Sequence, residues 1–423
     1  MHHFEYRKGE MFAEGVPVRR ITAEVGTPAY IYSLATLRRH FRVFDEAFCQ
    51  LPHIVCFSVK ANSNIALLKA FVKEGGGFDI VSGGELYRTL KAGADPQKIV
   101  FSGVGKKKEE IEYALSAGIL MFNVESDDEM SALNDIAGAI GKKAPVSLRI
   151  NPDVDPQTHP YISTGMKKAK FGVDIKRSLE SYRTAVSLPH VEVVGVDCHI
   201  GSQLTSVAPF VDALARVREY VDRVLIGSMQ KEGAHIRYLD LGGGLGISYK
   251  DEMPPHPEEY ARAIIDGLKG LNITLILEPG RVIVGNAGIL VTEVQYVKET
   301  DEKNFVIVDA GMNDLIRPAL YGSYQEIQPV VEPTGEKMVA DVVGPICESG
   351  DFFAKDREIS RPQRGDLIAV MSAGAYGFTM ASNYNSHPKP PEILVDGDRF
   401  YVIRKRETFD DLIHGEAIPA VLQ

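Results

Sequence analysis

The middle of the chain alternates short apolar runs with longer amphipathic stretches. Eight apolar runs each end in a polar or glycine-rich tip, at residues 54–59, 78–81, 99–101, 120–122, 146–150, 191–198, 238–241 and 273–277. Between them, apolar residues recur at helical spacing over 65–73, 85–92, 107–117, 127–139, 178–187, 209–225 and 257–268. Strands alternating with helices predict βαβ units and a parallel sheet.

Eight such units over roughly 250 residues match a (β/α)8 TIM-like barrel. An open doubly wound sheet has the same alternation. We favour the barrel because polar residues that could carry chemistry follow nearly every run. A barrel brings all strand ends together, whereas an open sheet gathers them mainly at a switch point. The prediction is an α/β barrel over residues 31–283.

The pattern changes after Val284. Five segments there are typical of β-strands separated by Gly, Pro and Asp turns, at 289–297, 304–308, 337–343, 366–371 and 392–403. Helical spacing returns only at 409–413. We therefore predict a second, all-β, Greek-key-like domain over 284–423. Residues 1–30, with strand-like pieces at 4–6 and 29–32, are expected to join it.

Composition narrows the classes of partner. The chain has 423 residues, a net charge of −10 and a pI of about 5.6, which argues against nucleic acid or an anionic membrane as the main partner. Its 4 cysteines form no CxxC pair and no metal-ligand spacing, so reduced thiols in a cytoplasmic protein are expected. No signal-peptide core and no membrane-spanning apolar run is apparent in the sequence.

Lys60 follows the first apolar run directly, in the stretch Phe57-Ser58-Val59-Lys60-Ala61-Asn62. The carboxyl ends of barrel strands are where such proteins gather their chemistry. A lysine buried there loses its charge readily and becomes an amine nucleophile able to form a Schiff base. A surface lysine just past a strand is the better interpretation of this residue alone. The case for Lys60 therefore depends on the other strand ends.

The glycine-rich stretch Gly242-Gly243-Gly244-Leu245-Gly246 follows the seventh run. Glycine lets backbone N–H groups approach an anion closely, and a helix N-terminus after the stretch would add a positive dipole. Barrels often bind phosphate after strands seven and eight. Tight turns also use glycine, but the position after the seventh run favours phosphate.

Three more strand ends carry polar side chains. Glu278 ends the eighth run and could hold a protonated ring nitrogen, while Arg281 could bind phosphate or carboxylate. The alternative is a structural Glu–Arg pair at the barrel rim. His199 ends the sixth run and could stack on a flat cofactor, act as a base or bind metal, although a lone histidine is more often structural. Asp79, on the second run, would orient a cationic group.

These features together point to one cofactor. A Schiff-base lysine, a partner for a pyridinium nitrogen and a phosphate cradle are what pyridoxal 5′-phosphate requires. No histidine or carboxylate cluster has convincing metal spacing, and His159, His235, His256 and His387 are isolated.

The motifs resemble those of the alanine-racemase-fold (fold type III) amino acid decarboxylases, and the likeness covers essentially the whole chain. The motifs are residues 57–62, 199–203, 278–281 and 344–351. Within that family, three segments are similar to the decarboxylases that act on diaminopimelate. They are Cys347-Glu348-Ser349-Gly350-Asp351, Arg317-Pro318-Ala319-Leu320-Tyr321 and the loop 151–172, which contains Thr158-His159-Pro160.

The resemblance implies roles around the cofactor. Lys60 would hold pyridoxal phosphate as a Schiff base, His199 would stack on its ring and Glu278 would pair with the ring nitrogen. Further cofactor contacts would come from Asp79, Ser202, Gly243, Gly244, Gly280, Arg281 and Tyr376.

The resemblance also implies the reaction, which is loss of carbon dioxide from meso-2,6-diaminopimelate to give L-lysine, the last step of lysine biosynthesis. Cys347 would protonate the carbanion, and Glu348 would recognise the distal ammonium group. The substrate would also contact Arg281, Arg317, Tyr321 and Tyr376. In this family the site lies between two subunits, which implies a homodimer with shared active sites.

Alternatives remain at this point. A same-fold decarboxylase could act on another basic or acyl-linked amino acid, but Arg317 favours a substrate with a distal carboxylate. A racemase of this fold uses a tyrosine as second base where this chain has Cys347. A protein that only binds the cofactor is disfavoured because Lys60 and Cys347 are both present. Cys347 as a core residue is disfavoured by its polar flanks, which include Glu348.

Overall fold

The computed structural model describes residues 2–154, 170–222, 234–332 and 335–423. The chain forms two compact units. One is Arg38–Ile283, and the other combines Met1–Leu37 with Val284–Gln423. The motif residues Thr158, His159 and Pro160 lie outside the described residues, as does the end of the helix predicted over 209–225.

Eight parallel strands close into a barrel in the first unit, which confirms the predicted fold. The fourth strand pairs with the fifth and the eighth with the first, so the sheet has no open edge and the doubly wound alternative is excluded. A short strand, Val173–Asp174, adds to the fifth. The barrel strands are His53–Ser58, Gly77–Ile80, Ile99–Phe101, Met121–Val124, Ala144–Asn151, Val191–Asp197, Tyr238–Asp240 and Thr274–Leu277.

Helices alternate with these strands, and side-chain caps define several of their starts. Asn64 accepts the N–H of Ala66 at the start of one helix, and Ser82 and Ser126 cap two others in the same way. Their bounds agree closely with the apolar periodicity. The helices are Leu34–Ala47, Ile65–Lys73, Gly83–Ala92, Lys108–Ala117, Asp127–Ala139, Ser178–Ser187, Ala208–Tyr220, Pro257–Leu268 and Arg281–Val284.

The first four barrel strands share a repeated pair, a phenylalanine followed by a polar residue. The pairs are Phe57-Ser58, Phe78-Asp79, Phe101-Ser102 and Phe122-Asn123, and all eight side chains are buried. Successive side chains of a strand point to opposite faces. Phe57 packs on Phe71 of the following helix with ring centroids 4.3 Å apart. The polar partners therefore face the barrel interior.

The second unit is built from β-sheet. Its main sheet is mixed, and its seven strands in spatial order are Phe352–Ser360, Lys337–Val343, Asn304–Val308, Gly288–Glu299, Ala29–Ser33, Glu392–Asp396 and Arg399–Arg404. Two further strands, Ile327–Pro329 and Leu367–Val370, join it beside Gly288–Glu299. A small antiparallel sheet consists of Phe4–Arg7, Glu10–Ala13 and Val16–Pro17.

The sequence prediction was incomplete in this unit. The segment predicted as one strand over 392–403 is a hairpin that turns at Gly397. The edge strand Phe352–Ser360 was missed because its exposed face carries charged residues, which hide the alternation. Short helices at Val18–Val25 and Arg317–Tyr321 were also missed, whereas Phe409–Leu412 was expected. Within the described residues, no helix is long and apolar enough to cross a membrane.

Candidate active site

Lys60 lies just beyond the first barrel strand. The strand ends at Ser58, one residue earlier than predicted, and Val59–Ala61 form a single 3-10 turn. This turn places Lys60 Nζ 2.7 Å from Oδ2 of Asp79, on the neighbouring strand. Ser58 Oγ donates to the same oxygen at 2.9 Å. The lysine side chain is 39% exposed and Asp79 is fully buried, so the ion pair connects solvent to the barrel interior.

The other carboxylate oxygen of Asp79 has unmet bonding capacity. Within the described residues, Asp79 Oδ1 is buried and accepts no hydrogen bond. Oδ1 of Asp197 is also buried and also accepts none from these residues. Burying a charged oxygen without a donor is costly. Such atoms therefore indicate a site built for a polar or cationic group.

Glu278 meets Asp240 across the barrel interior. Asn123 Nδ2 lies 3.2 Å from Asp240 Oδ2 and 3.4 Å from Glu278 Oε1, so one amide serves both carboxylates. Ser102 Oγ donates to Glu278 Oε1 at 3.3 Å, and Ser147 Oγ donates to Asn123 Oδ1 at 2.6 Å. These partners fix the carboxylate of Glu278 in position.

Burial raises the pKa of both carboxyl groups. Burial, followed by the charges of Asp240 and Asp79, raises the pKa of Glu278 well above its usual range. Burial raises the pKa of Asp240 to about 6. Within the described residues neither Glu278 nor Asp240 has an ion-pair partner, since Lys60 pairs with Asp79. Among the described residues, the interior therefore holds more acidic groups than cations that pair with them.

Arg149 supplies the other cation of this region, from the fifth strand. Its Nη1 donates to Glu125 Oε1 at 2.9 Å, and its Nε lies 3.8 Å from Asp197 Oδ2. Glu125 Oε2 also accepts the N–H of Gly172 at 2.7 Å. The guanidinium is thus divided between two carboxylates and leaves Glu278 unpaired.

His199 is held as a neutral ring. Burial, followed by the nearby charges of Arg149 and Lys60, lowers its pKa well below the usual range. Its Nδ1 accepts the N–H of Gly243 at 3.2 Å. Gly242 has φ of +64°, and a Cβ there would lie 2.5 Å from the imidazole, so only glycine fits beside the ring. A neutral, fixed imidazole suits stacking on a flat ligand.

The glycine-rich stretch after the seventh strand packs against the eighth. A Cβ on Gly243 would collide with the carbonyl oxygen of Glu278, and one on Gly244 would lie 2.5 Å from a carbonyl oxygen of the sixth-strand loop. The expected helix does not follow at once, because the next helix begins only at Pro257. Any anion site here therefore depends on loop amides and not on a helix dipole.

Arg281 opens the short helix after the eighth strand and is buried. Its Nη1 donates to Tyr249 Oη at 2.7 Å, and its Nη2 donates to Ser202 Oγ at 3.2 Å. Gly280, just before it, approaches Ser58 and Ala61, with a hypothetical Cβ 3.1 and 3.0 Å from theirs. Gly280, the residue before Arg281, thus packs closely against the turn that carries Lys60.

The barrel residues fit pyridoxal phosphate. Lys60 offers an amine, and Glu278 offers a carboxylate that has no cation as partner among the described residues. Arg281 and Ser202 offer polar groups that are suited to phosphate. The cation that Glu278 lacks is what a protonated pyridine ring supplies. All of these side chains sit at the carboxyl ends of the barrel strands.

The predicted substrate residues other than Arg281 lie in the second unit. Arg317 begins the helix Arg317–Tyr321 and is buried, while Tyr321 is half-buried. Tyr376 is half-buried and adopts φ of +55°. Cys347 and Glu348 are exposed on one loop. Exposure of this cysteine agrees with the prediction that it is not a core residue.

Sequence reasoning gave no role to several residues of the barrel cluster. These are Ser58, Ser102, Asn123, Arg149, Asp197 and Asp240, all of which are buried polar residues on barrel strands or, for Ser102, directly after one. The repeated phenylalanine–polar pair was the available signal for Ser102 and Asn123. Polar residues at the same position of successive strands indicate an interior network and not a solvent face.

The comparisons with known proteins agree with this geometry. Residues 34–285 match the family model described as pyridoxal-dependent decarboxylase, pyridoxal binding domain. The diaminopimelate decarboxylase of Vibrio cholerae is 53% identical over 414 residues, covering 97% of this chain and 98% of that protein.

Solved structures give the same result. Diaminopimelate decarboxylase from M. jannaschii superimposes with a TM-score of 0.94 at 39% identity, covering 100% of this chain and 99% of the other. The Helicobacter pylori enzyme, solved with L-lysine, gives a TM-score of 0.90 at 44% identity, covering 94% and 98%.

A parallel barrel with this site, joined to a β unit, defines a pyridoxal-phosphate-dependent decarboxylase. The relatives narrow the class further. The chain belongs to the diaminopimelate decarboxylase family, whose members are carboxy-lyases.

The charge imbalance predicts how a Glu278→Gln variant behaves without cofactor. The pKa of Glu278 in the folded protein lies above 4.5, its ordinary value and the one expected in the unfolded chain. Between these two pKa values the folded protein binds one proton more than the unfolded chain. The free energy of unfolding therefore falls as the pH rises from the unfolded to the folded pKa. We expect the variant apoprotein to melt at a higher temperature than the parent at pH 7.5. The difference should shrink at pH 5, where the parent is already protonated.

Thermal unfolding of the two apoproteins at both pH values measures this effect. Glu302→Gln, in an exposed turn, is the matched control and should not change the melting temperature at either pH. A Glu278→Gln apoprotein less stable than the parent at pH 7.5 would contradict the charge imbalance.

Proposed function

We propose that this protein decarboxylates meso-diaminopimelate to L-lysine and carbon dioxide, with Lys60 as the attachment residue for pyridoxal phosphate. The observation that carries the proposal is the contact between Lys60 and Asp79, set beside the unbalanced carboxylate of Glu278. The Helicobacter pylori relative solved with L-lysine supports the product.

The barrel residues would hold and tune the cofactor. When bound, pyridoxal phosphate supplies an electron sink for the charge left at the substrate carbon as carbon dioxide departs. Glu278, fixed by Asn123 and Ser102, would keep the ring nitrogen protonated. His199 would cover one face of the ring and exclude water from it. Asp79 would orient the Lys60 amine through their 2.7 Å hydrogen bond.

The loop amides and Arg281 would bind the phosphate. Gly243, Gly244 and Gly280 keep this region free of side chains, and Arg281 and Ser202 bring donors. The N–H of Gly243 already donates to His199, so this glycine would also orient the stacking ring. Phosphate binding and ring position would thus depend on the same short loop.

The second unit, together with Arg281 of the barrel, would supply recognition of the substrate. Diaminopimelate carries two carboxylates and two ammonium groups. Arg281, Arg317 and Tyr321 would bind carboxylates, and Glu348 would bind the distal ammonium group. Tyr376 would contact both cofactor and substrate. Desolvated charged partners discriminate more strongly than an apolar pocket does, because a substrate lacking the distal carboxylate leaves an arginine unpaired.

Cys347 would give its proton to the substrate carbon after carbon dioxide leaves. Its exposure supports this role. Cys49 is also exposed, whereas Cys56, in the first barrel strand, and Cys198, directly after the sixth, are buried, and burial raises the pKa of each of these two thiols. We further propose a cytoplasmic homodimer in which Cys347 and Glu348 of one subunit complete the barrel site of its partner.

The direct test is carbon dioxide release from the holoenzyme with meso-diaminopimelate, L-lysine, L-ornithine and L-arginine. Release from diaminopimelate alone, with L-lysine as product, is the expected result. Release from lysine or ornithine would overturn the assignments of Arg317 and Glu348. No release from any of them would overturn the reaction and favour an acyl-linked substrate.

Arg317→Ala should raise KM for diaminopimelate about 100-fold or more, because the distal carboxylate then loses a buried charged partner. Arg317→Lys keeps the charge but loses the bidentate geometry, so it should fall between the parent and Arg317→Ala. Steady-state kinetics measures both variants, with bound cofactor as the check on folding. An unchanged KM in Arg317→Ala would remove this residue from the substrate site.

Mixing two inactive variants tests the shared site. Lys60→Ala should lose covalent cofactor attachment and turnover together, and Cys347→Ala should retain cofactor and lose most of kcat. Unfolded and refolded together, they should regain about a quarter of parent activity, since about half the dimers are mixed and each has one intact site. Mixtures with no activity above the separate variants would exclude a site completed across subunits.

A further inference from the structure

The loop that carries Cys347 is held by two side chains that have no assigned role. The N–H of Cys347 donates to Oδ1 of Asn385 at 2.7 Å. The preceding N–H, of Ile346, donates to Oδ2 of Asp351 at 2.7 Å. Two successive backbone amides at the cysteine are therefore bound by side-chain oxygens and not by a sheet or helix.

Asp351 also ties this loop to a neighbouring segment. Its Oδ1 accepts the N–H of Met312 at 2.7 Å, so one carboxylate bridges two stretches of chain. The N–H of Asp351 donates to the carbonyl of Glu348 at 3.0 Å, which closes the turn after the cysteine. Asp351 is buried, whereas Cys347 and Glu348 are exposed. The buried carboxylate of Asp351 thus ties the exposed loop of Cys347 to the segment at Met312.

Asn385 reaches the cysteine amide from an unfavourable backbone conformation. Its φ is +53°, and Ser386 beside it has φ of +57°. Residues other than glycine adopt this left-handed region of the backbone map less often, and two successive residues there cost free energy. The segment is exposed, so close packing does not explain the conformation. Asn385 and Ser386 form a turn in which the N–H of His387 lies 3.4 Å from the carbonyl oxygen of Tyr384. This turn also brings the Asn385 carboxamide to the amide of Cys347.

We propose that Asn385, together with Asp351, is a positioning residue that fixes the backbone at Cys347 and so aims its thiol for proton donation. The inference rests on the proposed function, because it assumes that Cys347 is the proton donor. Proton transfer requires the donor to be within hydrogen-bond reach of the carbon that accepts the proton. Without these hydrogen bonds, a cysteine on an exposed loop would sample many positions. Few of them would place its thiol within reach of the carbon that accepts the proton.

Glycine at position 385 removes the carboxamide while accepting the positive φ without strain. Asn385→Gly should lower kcat about 10- to 100-fold, the loss typical of a small misplacement of a reacting group, with KM within about twofold. Asn385→Asp keeps an acceptor for the Cys347 amide and should hold kcat within about threefold of the parent. Ser386→Gly loosens the adjacent residue equally and should match the parent.

The decisive measurement is a double-mutant cycle in the holoenzyme, using saturating meso-diaminopimelate. Cys347→Ala retains the backbone amide but has no thiol to aim. Adding Asn385→Gly to it should therefore cause no further loss of kcat. An equal further loss would show that Asn385 acts through general loop structure and would overturn the proposal. Parent-like kcat in Asn385→Gly, or the same loss in Ser386→Gly, would also overturn it.

The cycle separates this inference from the proposed function. Parent-like kcat in Cys347→Ala would overturn the donor role and the positioning role together. Loss in Cys347→Ala with none in Asn385→Gly would overturn the positioning role alone. Asp351→Asn gives a second test, because Asp351 accepts the Met312 and Ile346 amides with its two different oxygens and asparagine has only one acceptor oxygen. It should lower kcat at least as much as Asn385→Gly, again with little effect in the Cys347→Ala background.

Discussion

The excess of buried negative charge inside the barrel is the constraint on which the rest of the site depends. Asp79, Asp197, Asp240 and Glu278 are all buried near the carboxyl ends of the strands. Lys60 and Arg149 bind only part of that charge. Burying carboxylates without cations costs free energy, and a cationic ring bound beside them would offset that cost. Cofactor affinity and folding stability are therefore linked through the same side chains.

The fold meets this constraint by dividing the work between two kinds of structure. Closed parallel strands bring Asp79, Asn123, Asp240 and Glu278 together from distant parts of the sequence, and hydrogen bonds fix their orientation. Loops supply what must approach ligands closely, as at Gly243. Apart from Arg281, the substrate and proton-donor residues proposed here lie in the β unit, on a short helix and on loops. A rigid barrel with adaptable loops is the usual arrangement for placing different substrates on one cofactor.

Most of the barrel could be predicted from sequence because apolar periodicity and strand ends are local features. Helix bounds such as Ile65–Lys73 followed directly. Two local features depend on tertiary packing, which periodicity does not encode. One is the 3-10 turn at Lys60, and the other is that no helix begins directly after Gly246, where one was expected. The interior network was missed because Ser102 and Asn123 look unremarkable within short strands until closure brings them to Glu278. The hydrogen bond between the Cys347 amide and Asn385 was missed because the two residues are distant in sequence and close only in space.

The central claim is that the buried carboxylates hold a protonated cofactor ring. Nitrogen NMR of holoenzyme loaded with 15N-labelled pyridoxal phosphate measures this directly, because the ring nitrogen shift differs strongly between pyridinium and neutral pyridine. The account predicts a pyridinium signal that persists well above neutral pH, since the Glu278 carboxylate stabilises the proton. A neutral-pyridine signal at pH 7 would contradict the role given to Glu278 and to the charge imbalance around it.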